Sequence, residues 1–290
     1  MSWLYFTLLA YFVNAVAFIV DKYLLSSHIP KPFAYAFWVA ILSGIAVVLI
    51  PFGVTILGLS YILTALVSGG AFFIGLIFLY KAIKESDISV ASTMCGVVTA
   101  ISTYILAVLF LNEPTDVFNF ASITMLIIGT IFVGKTDKNI WRLAIWSGIF
   151  FGTSFALLKL SFDASDFVNG IFWTRMGFVG SALLSLFSAN IRSEVLWSVR
   201  TPRPRQKRLF IGNKILAATG FLLLYYAIRL GEVSVVNSLL GFQFLFVFVL
   251  AVLLRSKIIR IEENISRKHV VLKLVGIGFI IAGFLTVLVR

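Results

Sequence analysis

Arg175 occupies the position in this sequence that most directly suggests a functional site. It lies near the middle of the apolar run from Phe172 to Phe178 (FWTRMGF), which hydrocarbon would surround if that run crosses a membrane. A charge at the centre of a membrane-spanning helix costs about 3 kcal/mol or more unless it meets a partner or water. Arg175 therefore predicts an anion contact in a water-filled cavity, or else a structural arginine that bonds a backbone carbonyl or extends to an interface.

Two lysines occupy matching positions in the two halves of the chain. Lys22 ends the first apolar run of the sequence, and Lys159 ends the corresponding run of the second half. Such a pair could present two cations to an anionic substrate. Alternatively, each amine extends along its helix to the polar interface, as lysines near the ends of membrane helices commonly do.

Uncharged polar and aromatic residues within the apolar runs form a second group of candidates. The side chains that could contact an organic substrate are those of Asn14, Tyr80, Thr99, Ser154, Tyr225, Asn237 and Gln243. Thr99 shares one helix face with Ser92 and Thr103 at helical spacing. The amides and hydroxyls could equally bond a neighbouring helix, and tyrosines near the ends of runs could belong to an interfacial belt.

The sequence lacks the residue patterns of familiar enzymes and of metal or nucleotide sites. Its two histidines, His28 and His269, lie in separate gaps, and no Cys/His cluster has the spacing of a zinc site. No glycine-rich phosphate loop and no Ser/His/Asp set is discernible. We therefore expect no catalytic residues, no metal and no cofactor. Asp21, Glu113 and Glu232 lie at the ends of apolar runs, so no carboxylate is clearly placed for proton coupling.

Long apolar helices are the elements that must position these residues. Of the 290 residues, 60% are hydrophobic and 12% charged, whereas a soluble domain is closer to half apolar and a quarter charged. A membrane-spanning helix needs about 20 apolar residues. Ten runs qualify: Trp3–Asp21, Phe33–Phe52, Tyr61–Tyr80, Ile88–Leu111, Asp116–Gly134, Trp141–Leu160, Phe167–Ala189, Leu209–Ile228, Val233–Leu254 and Val270–Val289. Barrel strands would instead alternate polar and apolar residues.

Basic residues concentrate in the gaps between the runs. The formal net charge is +12, and most basic residues follow odd-numbered runs, which places those gaps in the cytoplasm and both termini outside by the positive-inside rule. Orientation in the cell (inner) membrane explains this charge better than nucleic-acid binding, which we do not expect. Asn190–Arg208, broken by prolines, predicts a flexible surface loop, and Arg255–His269 predicts a short interfacial helix or a solvated connector.

The two halves of the chain resemble each other. Residues 80–90 (YKAIKESDISV) align without a gap with residues 225–235 (YYAIRLGEVSV), and their polar positions also agree. With five runs each, residues 1–134 and residues 141–290 would start on opposite sides of the membrane. We therefore predict an all-α integral membrane fold of ten transmembrane helices, arranged as two inverted five-helix repeats, a form suited to alternating access.

Short motifs distributed along almost the whole chain indicate a family resemblance. They are residues 80–83 (YKAI), 91–92 (AS), 109–113 (LFLNE), 127–129 (IIG), 152–159 (GTSFALLK), 226–228 (YAI) and 281–283 (IAG). In their order and spacing the sequence resembles EamA-like transporters of the drug/metabolite transporter superfamily. The resemblance implies a central cavity lined by the first, third and fourth helices of each half. One departure is that Glu113 has no counterpart near Ser256 and Lys257.

Together these features predict a secondary transporter. The leading hypothesis is export of a small metabolite or amphiphilic compound by alternating access, with that small-molecule substrate and the lipid bilayer as partners. One alternative is a flippase of a lipid-linked sugar, which a side opening to lipid would favour. Another is a non-transporting membrane scaffold, which a closed apolar centre would favour. An enzyme would need titratable groups that converge in one pocket, and the sequence offers none.

Overall fold

Hydrocarbon offers no hydrogen bonds to the backbone, so segments that cross a membrane pair their N–H and C=O groups internally as helices. The computed structural model describes residues 2–27, 31–56, 58–112, 117–135, 137–200, 202–254 and 266–288, and every regular element within these ranges is helical. The α-helices are α1 (Ser2–Ser27), α2 (Pro32–Leu42), α3 (Leu59–Glu85), α4 (Ile88–Phe110), α5 (Val117–Gly134), α6 (Trp141–Ala164), α7 (Phe167–Ser185), α8 (Ala189–Arg200), α9 (Pro204–Leu230), α10 (Val233–Ser238), α11 (Leu240–Leu254) and α12 (Arg267–Leu288). A 3₁₀ segment, Ser43–Phe52, continues α2. For the described residues, the predicted all-α class is confirmed.

Seven helices in the described ranges are long and apolar enough to cross a membrane. They are Trp3–Ser26, Pro32–Phe52, Leu59–Glu85, Ile88–Phe110, Trp141–Ala164, Pro204–Leu230 and Val235–Leu254. The pair α7 and α8, bent by 107°, would add an eighth if it forms one broken span. Helices α5 and α12 are not among the seven, so the count of ten spans stays a prediction.

The outward faces of these helices are apolar. Ile45 is 75% exposed, Ile56 89% and Phe187 88%. Soluble monomers seldom expose large contiguous apolar patches. Lipid contact accounts for such a surface, so the structure is consistent with an integral membrane protein.

The helices alternate in direction, which gives the bundle two ends. One end, which we call the Lys22 end, is where α1 and α3 terminate and where α2, α4, α6 and α9 begin. At this end the Lys22 amine donates to the carbonyl oxygen of Ile83 in the last turn of α3. The Lys159 end is the opposite one, where α6 and α9 terminate and α3 and α7 begin. Asp166 starts α7 at that end and accepts hydrogen bonds from the backbone N and Nδ2 of Asn169. Desolvation raises the pKa of Asp166, but these hydrogen bonds outweigh it and the pKa lies below its usual value.

The segment predicted as a flexible loop, Asn190–Arg208, is mostly helical, and that prediction is wrong. Helix α8 covers its first part, and α9 already begins at Pro204. Proline is suited to the first turn of a helix because its backbone nitrogen needs no partner there, and the Gln206 side chain accepts from the backbone N–H of Arg203 at 2.7 Å. Helix α8 lies against α2, where Trp38 Nε1 donates to Ser198 Oγ at 2.9 Å. Of the other long gap, Arg255–His269, residues 255–265 lie outside the described ranges.

Helix α3 is packed against both α6 and α7, and its contact with α7 is very close. A Cβ added to Gly69 of α3 would overlap the carbonyl oxygen of Thr174 and the backbone nitrogen of Phe178. A Cβ added to Gly177 of α7 would overlap the backbone of Leu66. The two glycines therefore allow the backbones of α3 and α7 to meet, as small residues do at tight helix crossings in membranes.

This packing predicts opposite effects for two alanine substitutions in α7. Gly177→Ala is expected to lower the free energy of unfolding by about 1–3 kcal/mol, because the methyl group must push against the α3 backbone. Gly180→Ala is the matched control, since nothing lies within 4 Å of its Cβ position, and helix propensity should make it neutral or up to about 1 kcal/mol stabilising. Thermal unfolding in detergent measures both. Equal midpoints for the two variants would contradict the close crossing.

Candidate functional site

A cavity of about 580 Å³ lies among the helices of the bundle. Its walls come from α1, α2 with the 3₁₀ segment, α3, α4, α6, α7, α9, α10 and α11. Most of its lining is apolar. Among the sequence-predicted candidates, the lining includes Asn14, Tyr80, Thr99, Arg175, Asn237 and Gln243. The cavity therefore brings together residues that are distant in the sequence.

Arg175 enters this cavity between aromatic rings. The centre of its guanidinium lies 5.0 Å from the ring centroid of Tyr225, 5.7 Å from that of Phe72, 5.9 Å from that of Phe178 and 6.0 Å from that of Phe221. Such faces attract a cation through the ring quadrupole. Within the described ranges, no carboxylate lies within ion-pair distance of Arg175 and no protein group accepts a hydrogen bond from it. The guanidinium thus keeps hydrogen-bond donors for a ligand.

A buried ion pair forms the wall of the cavity toward the Lys22 end. Lys214 Nζ lies 2.5 Å from Asp21 Oδ1, and the same oxygen accepts from Asn213 Nδ2 and from the Tyr35 hydroxyl, each at 2.6 Å. Lys214 also lies 3.2 Å from the Tyr80 hydroxyl. These bonds compensate the desolvation of both charges, which is large when a pair leaves water.

Sequence reasoning did not identify Asp21 and Lys214 as parts of the site. Asp21 ends the first apolar run and Lys214 lies within the run Leu209–Ile228, and neither is among the sequence-predicted candidates. Helix α9 begins at Pro204, five residues before the predicted start at Leu209, because basic residues interrupt the apolar pattern there. The available signal was a lysine ten residues inside a membrane helix, a position at which a charge requires a partner.

Lys22 and Lys159 lie outside the cavity lining, and each points to the end of another helix. Lys22 Nζ donates to the carbonyl oxygens of Ile83 at 2.8 Å and Ser86 at 2.7 Å, at the end of α3. Lys159 Nζ lies 3.4 Å from the carbonyl oxygen of Ile228, near the end of α9, and 3.2 Å from Asp163. The last carbonyls of a helix lack backbone donors and carry negative partial charge. Both lysines therefore stabilise helix ends.

The uncharged candidates divide between helix packing and the cavity. Ser154 lies outside the cavity lining, and its carbonyl oxygen accepts from the Ser68 hydroxyl at 2.8 Å. Thr99 donates to the carbonyl of Cys95 in its own helix at 2.8 Å. Tyr225 is buried outside the lining and contacts it through Arg175. Asn14 and Asn237 are cavity-lining, and in each the side-chain oxygen has no hydrogen-bond partner among the described residues.

Within the described ranges, no group of three or more His, Cys, Asp or Glu side chains could hold a metal ion. Glu113, the acid of the family pattern, lies outside these ranges. The polar groups of the cavity lining include the Arg175 guanidinium, the side-chain amides of Asn14, Asn237 and Gln243, several hydroxyls, and the ion pair of Asp21 with Lys214.

Comparisons with known proteins give information on the fold. No family model matches the sequence, and no curated protein is significantly similar to it. Solved structures do resemble the chain; one, described as "Crystal structure of protein", covers 96% of this chain and 97% of its own, with a TM-score of 0.61 and 14% sequence identity. At that identity the similarity establishes a shared fold over nearly the full length.

The ion pair gives a test of the cavity wall. Asp21→Asn leaves the buried Lys214 charge unpaired, so we expect it to lower the free energy of unfolding by about 3–5 kcal/mol. The double variant Asp21→Asn/Lys214→Met should recover most of this loss. Thermal unfolding of the two single variants and the double variant measures the coupling.

Asp163→Asn is the control for this prediction. Asp163 pairs with Lys159 one helical turn away, and its side chain is 51% exposed, so its loss should cost less than about 1 kcal/mol. If Asp21→Asn were as mild as Asp163→Asn, the ion pair would not be a buried structural element.

Proposed function

We propose that this protein is a secondary transporter that carries a small metabolite or amphiphilic compound across a membrane. The observation that carries the proposal is the central cavity of about 580 Å³ that contains Arg175 without a protein anion. A charge in the middle of an apolar helix is costly, so its presence there points to a functional role. Arg175 would bind an anionic group of the substrate, and the aromatic rings around it would contact the organic part. No catalytic residue, metal or cofactor is needed for this function.

The packing of the helices supports a transport mechanism based on two inverted halves. Helix α3 packs on α6, and its counterpart α9 packs on α1; helix α4 packs on α6, and its counterpart α11 packs on α1. Lys22 binds the end of α3 just as Lys159 approaches the end of α9. These matched contacts are expected if ten spans form two five-helix repeats. Movement of one half against the other would then open the cavity first to one side of the membrane and then to the other.

We assign the chain to the EamA-like branch of the drug/metabolite transporter superfamily as part of the same proposal. The motifs on which the resemblance rests occur in both halves of the chain. The similarity to a solved structure also extends over nearly the full length of both chains. We propose export across the cell (inner) membrane, with the Lys22 end in the cytoplasm. Basic residues of the described ranges at or near that end include Lys31, Lys81, Lys84, Lys135, Arg142, Arg192, Arg203, Arg205, Lys207 and Arg208.

The cavity disfavours one of the two alternative functions and is compatible with the other. A non-transporting scaffold would have a closed apolar centre, which the cavity and its unpaired guanidinium disfavour. Flipping of a lipid-linked molecule is favoured by one specific observation: exposed apolar residues of the 3₁₀ segment and of α9, such as Ile45 and Ile215, also line the cavity. Lipid-linked substrates therefore remain the second candidate.

Arg175→Gln tests the proposed transport site. The protein in proteoliposomes should take up at least one member of a panel of anionic metabolites and amphiphiles above protein-free vesicles. Loss of a charge-assisted hydrogen bond costs about 1.5–3 kcal/mol, so Arg175→Gln should weaken binding of that compound roughly tenfold or more. Flux and thermal stabilisation by the compound measure the change.

The matched control is Arg192→Gln, because Arg192 is exposed on α8 and away from the cavity. It should bind and transport as the unmodified protein does. Absence of flux for the whole panel would contradict the proposed function. Equal flux in Arg175→Gln and Arg192→Gln would remove Arg175 from the site.

The orientation makes a separate prediction for single-cysteine labelling. Cys95 is buried, so a membrane-impermeant maleimide in intact cells should report introduced cysteines. Asp163→Cys, at the Lys159 end, should react from outside, and Ser193→Cys, on α8 at the Lys22 end, should react only after permeabilisation. The reverse pattern would place the Lys159 end in the cytoplasm.

A further inference from the structure

The cavity is open toward the side of the bundle. Among the described residues, every cavity-lining residue that is exposed belongs either to α2 with the 3₁₀ segment or to α9. Ile45 is 75% exposed and Val48 62% on the first wall, and Ile215 is 65% exposed on the second. We call the gap between these two walls the side opening. Its rim is apolar, as a surface in contact with lipid chains requires.

Aromatic rings pack against one another toward both ends of the bundle. Toward the Lys22 end, the ring of Tyr35 lies 4.8 Å from that of Tyr80 and 4.9 Å from that of Phe210. Toward the Lys159 end, the ring of Tyr226 lies 5.0 Å from that of Phe6 and 5.7 Å from that of Phe167. The exposed lining residues lie at the side opening instead, on the surface that membrane helices present to lipid.

The sequence explains why this gap is open while its counterpart is closed. If the halves are repeats, the crossing of α3 with α7 corresponds to the approach of α9 to α2. Gly69 lies eleven residues before Tyr80, as Lys214 lies before Tyr225, and Gly177 lies five residues after Phe172, as Leu42 lies after Phe37.

The two glycines let α3 and α7 touch, whereas their counterparts are large and line the cavity. Lys214 is fixed by Asp21, and Leu42 forms part of the opposite wall. Lys214 and Leu42 carry side chains where the glycines have none, so α9 and α2 cannot meet backbone to backbone as α3 and α7 do. The side opening is thus explained by larger residues at these two positions.

We infer that the substrate is an anionic amphiphile that enters from the bilayer through the side opening and places its anionic head against Arg175. This inference rests on the proposed transport function and specifies its substrate class and route. The apolar chain lies along Ile45 and Ile215, where the walls are apolar and open to lipid. The head occupies the interior, where the guanidinium of Arg175 has donors without a protein acceptor.

Two asparagine amides also line the cavity, but they do not define the head. Asn14 is 2% exposed and Asn237 is fully buried, both line the cavity, and the side-chain oxygen of each has no partner among the described residues. A buried polar atom without a partner costs about 1–3 kcal/mol. Both oxygens are buried away from solvent, and the Asn14 oxygen lies against Gly220 of α9, so Arg175 supplies the donors for the head.

Photolabelling in phosphatidylcholine liposomes tests the route and the charge together. The probe is a long-chain fatty acid with a diazirine in its chain, and the counter-probe is the same chain ending in trimethylammonium. Peptide mass spectrometry after illumination locates the adducts. We expect the fatty acid to label the buried lining residues Phe72, Leu76 and Phe244, and the ammonium probe to label them at least about fivefold less.

Two sets of variants separate the head site from the side opening. Arg175→Gln should lower cavity labelling by the fatty acid roughly tenfold, with Arg192→Gln as the unaffected control. The pair Ile45→Trp/Ile215→Trp should obstruct the side opening and lower cavity labelling to a similar degree. Its control is the pair Leu63→Trp/Leu253→Trp, whose residues are similarly exposed but do not line the cavity.

The outcomes distinguish this inference from the proposed function. Cavity labelling by both probes alike, or labelling that the tryptophan pair at the side opening does not change, overturns the inference. A soluble diazirine butyrate that labels the cavity equally in the unmodified protein and in that tryptophan pair would show that the ligand comes from water; the inference then fails and the transporter stands. If no probe labels the cavity and no compound of the transport panel is taken up, both fail.

Discussion

Charges in this protein must be compensated by other groups of the protein, because hydrocarbon supplies no water to solvate them. The Asp21 carboxylate meets this requirement with Lys214, Asn213 and Tyr35, and these bonds hold α1, α2 and α9 together at one end of the cavity. The bundle depends on such compensation, since an unpaired buried ion would cost several kcal/mol. Arg175 differs from Asp21 within the described residues: its surroundings are aromatic rings rather than ions of opposite charge. That difference separates a structural charge from one available to a ligand.

The size of the residues at helix crossings determines where the bundle is closed. Gly69 and Gly177 bring α3 and α7 into backbone contact, while Lys214 and Leu42, which would occupy the corresponding places if the halves are repeats, line the cavity instead. A chain with two similar halves can therefore form one closed seam and one open one. In our proposal, the open seam gives an amphiphile access from the lipid side to the largely apolar cavity and to Arg175.

The sequence predicted helices well because a continuous apolar run can only be satisfied as a helix in hydrocarbon. It failed for the basic gap Asn190–Arg208, which contains prolines: α8 covers its first part, and Pro204 starts α9 because proline fits the first turn of a helix. Six of the candidates, Asn14, Tyr80, Thr99, Arg175, Asn237 and Gln243, line the cavity. Lys22 and Lys159 lie elsewhere, and Lys214 was missed, because spacing along a helix does not reveal which carbonyl or carboxylate a flexible lysine will meet.

The most direct test of the central claim is an experimental structure of the protein in lipid nanodiscs. We expect non-protein density that enters between the 3₁₀ segment and α9 and ends at the Arg175 guanidinium, with α3 and α7 still in contact at Gly69. A cavity closed by its own side chains, with Arg175 bonded to a carboxylate or carbonyl of the protein, would contradict a ligand-binding role for Arg175.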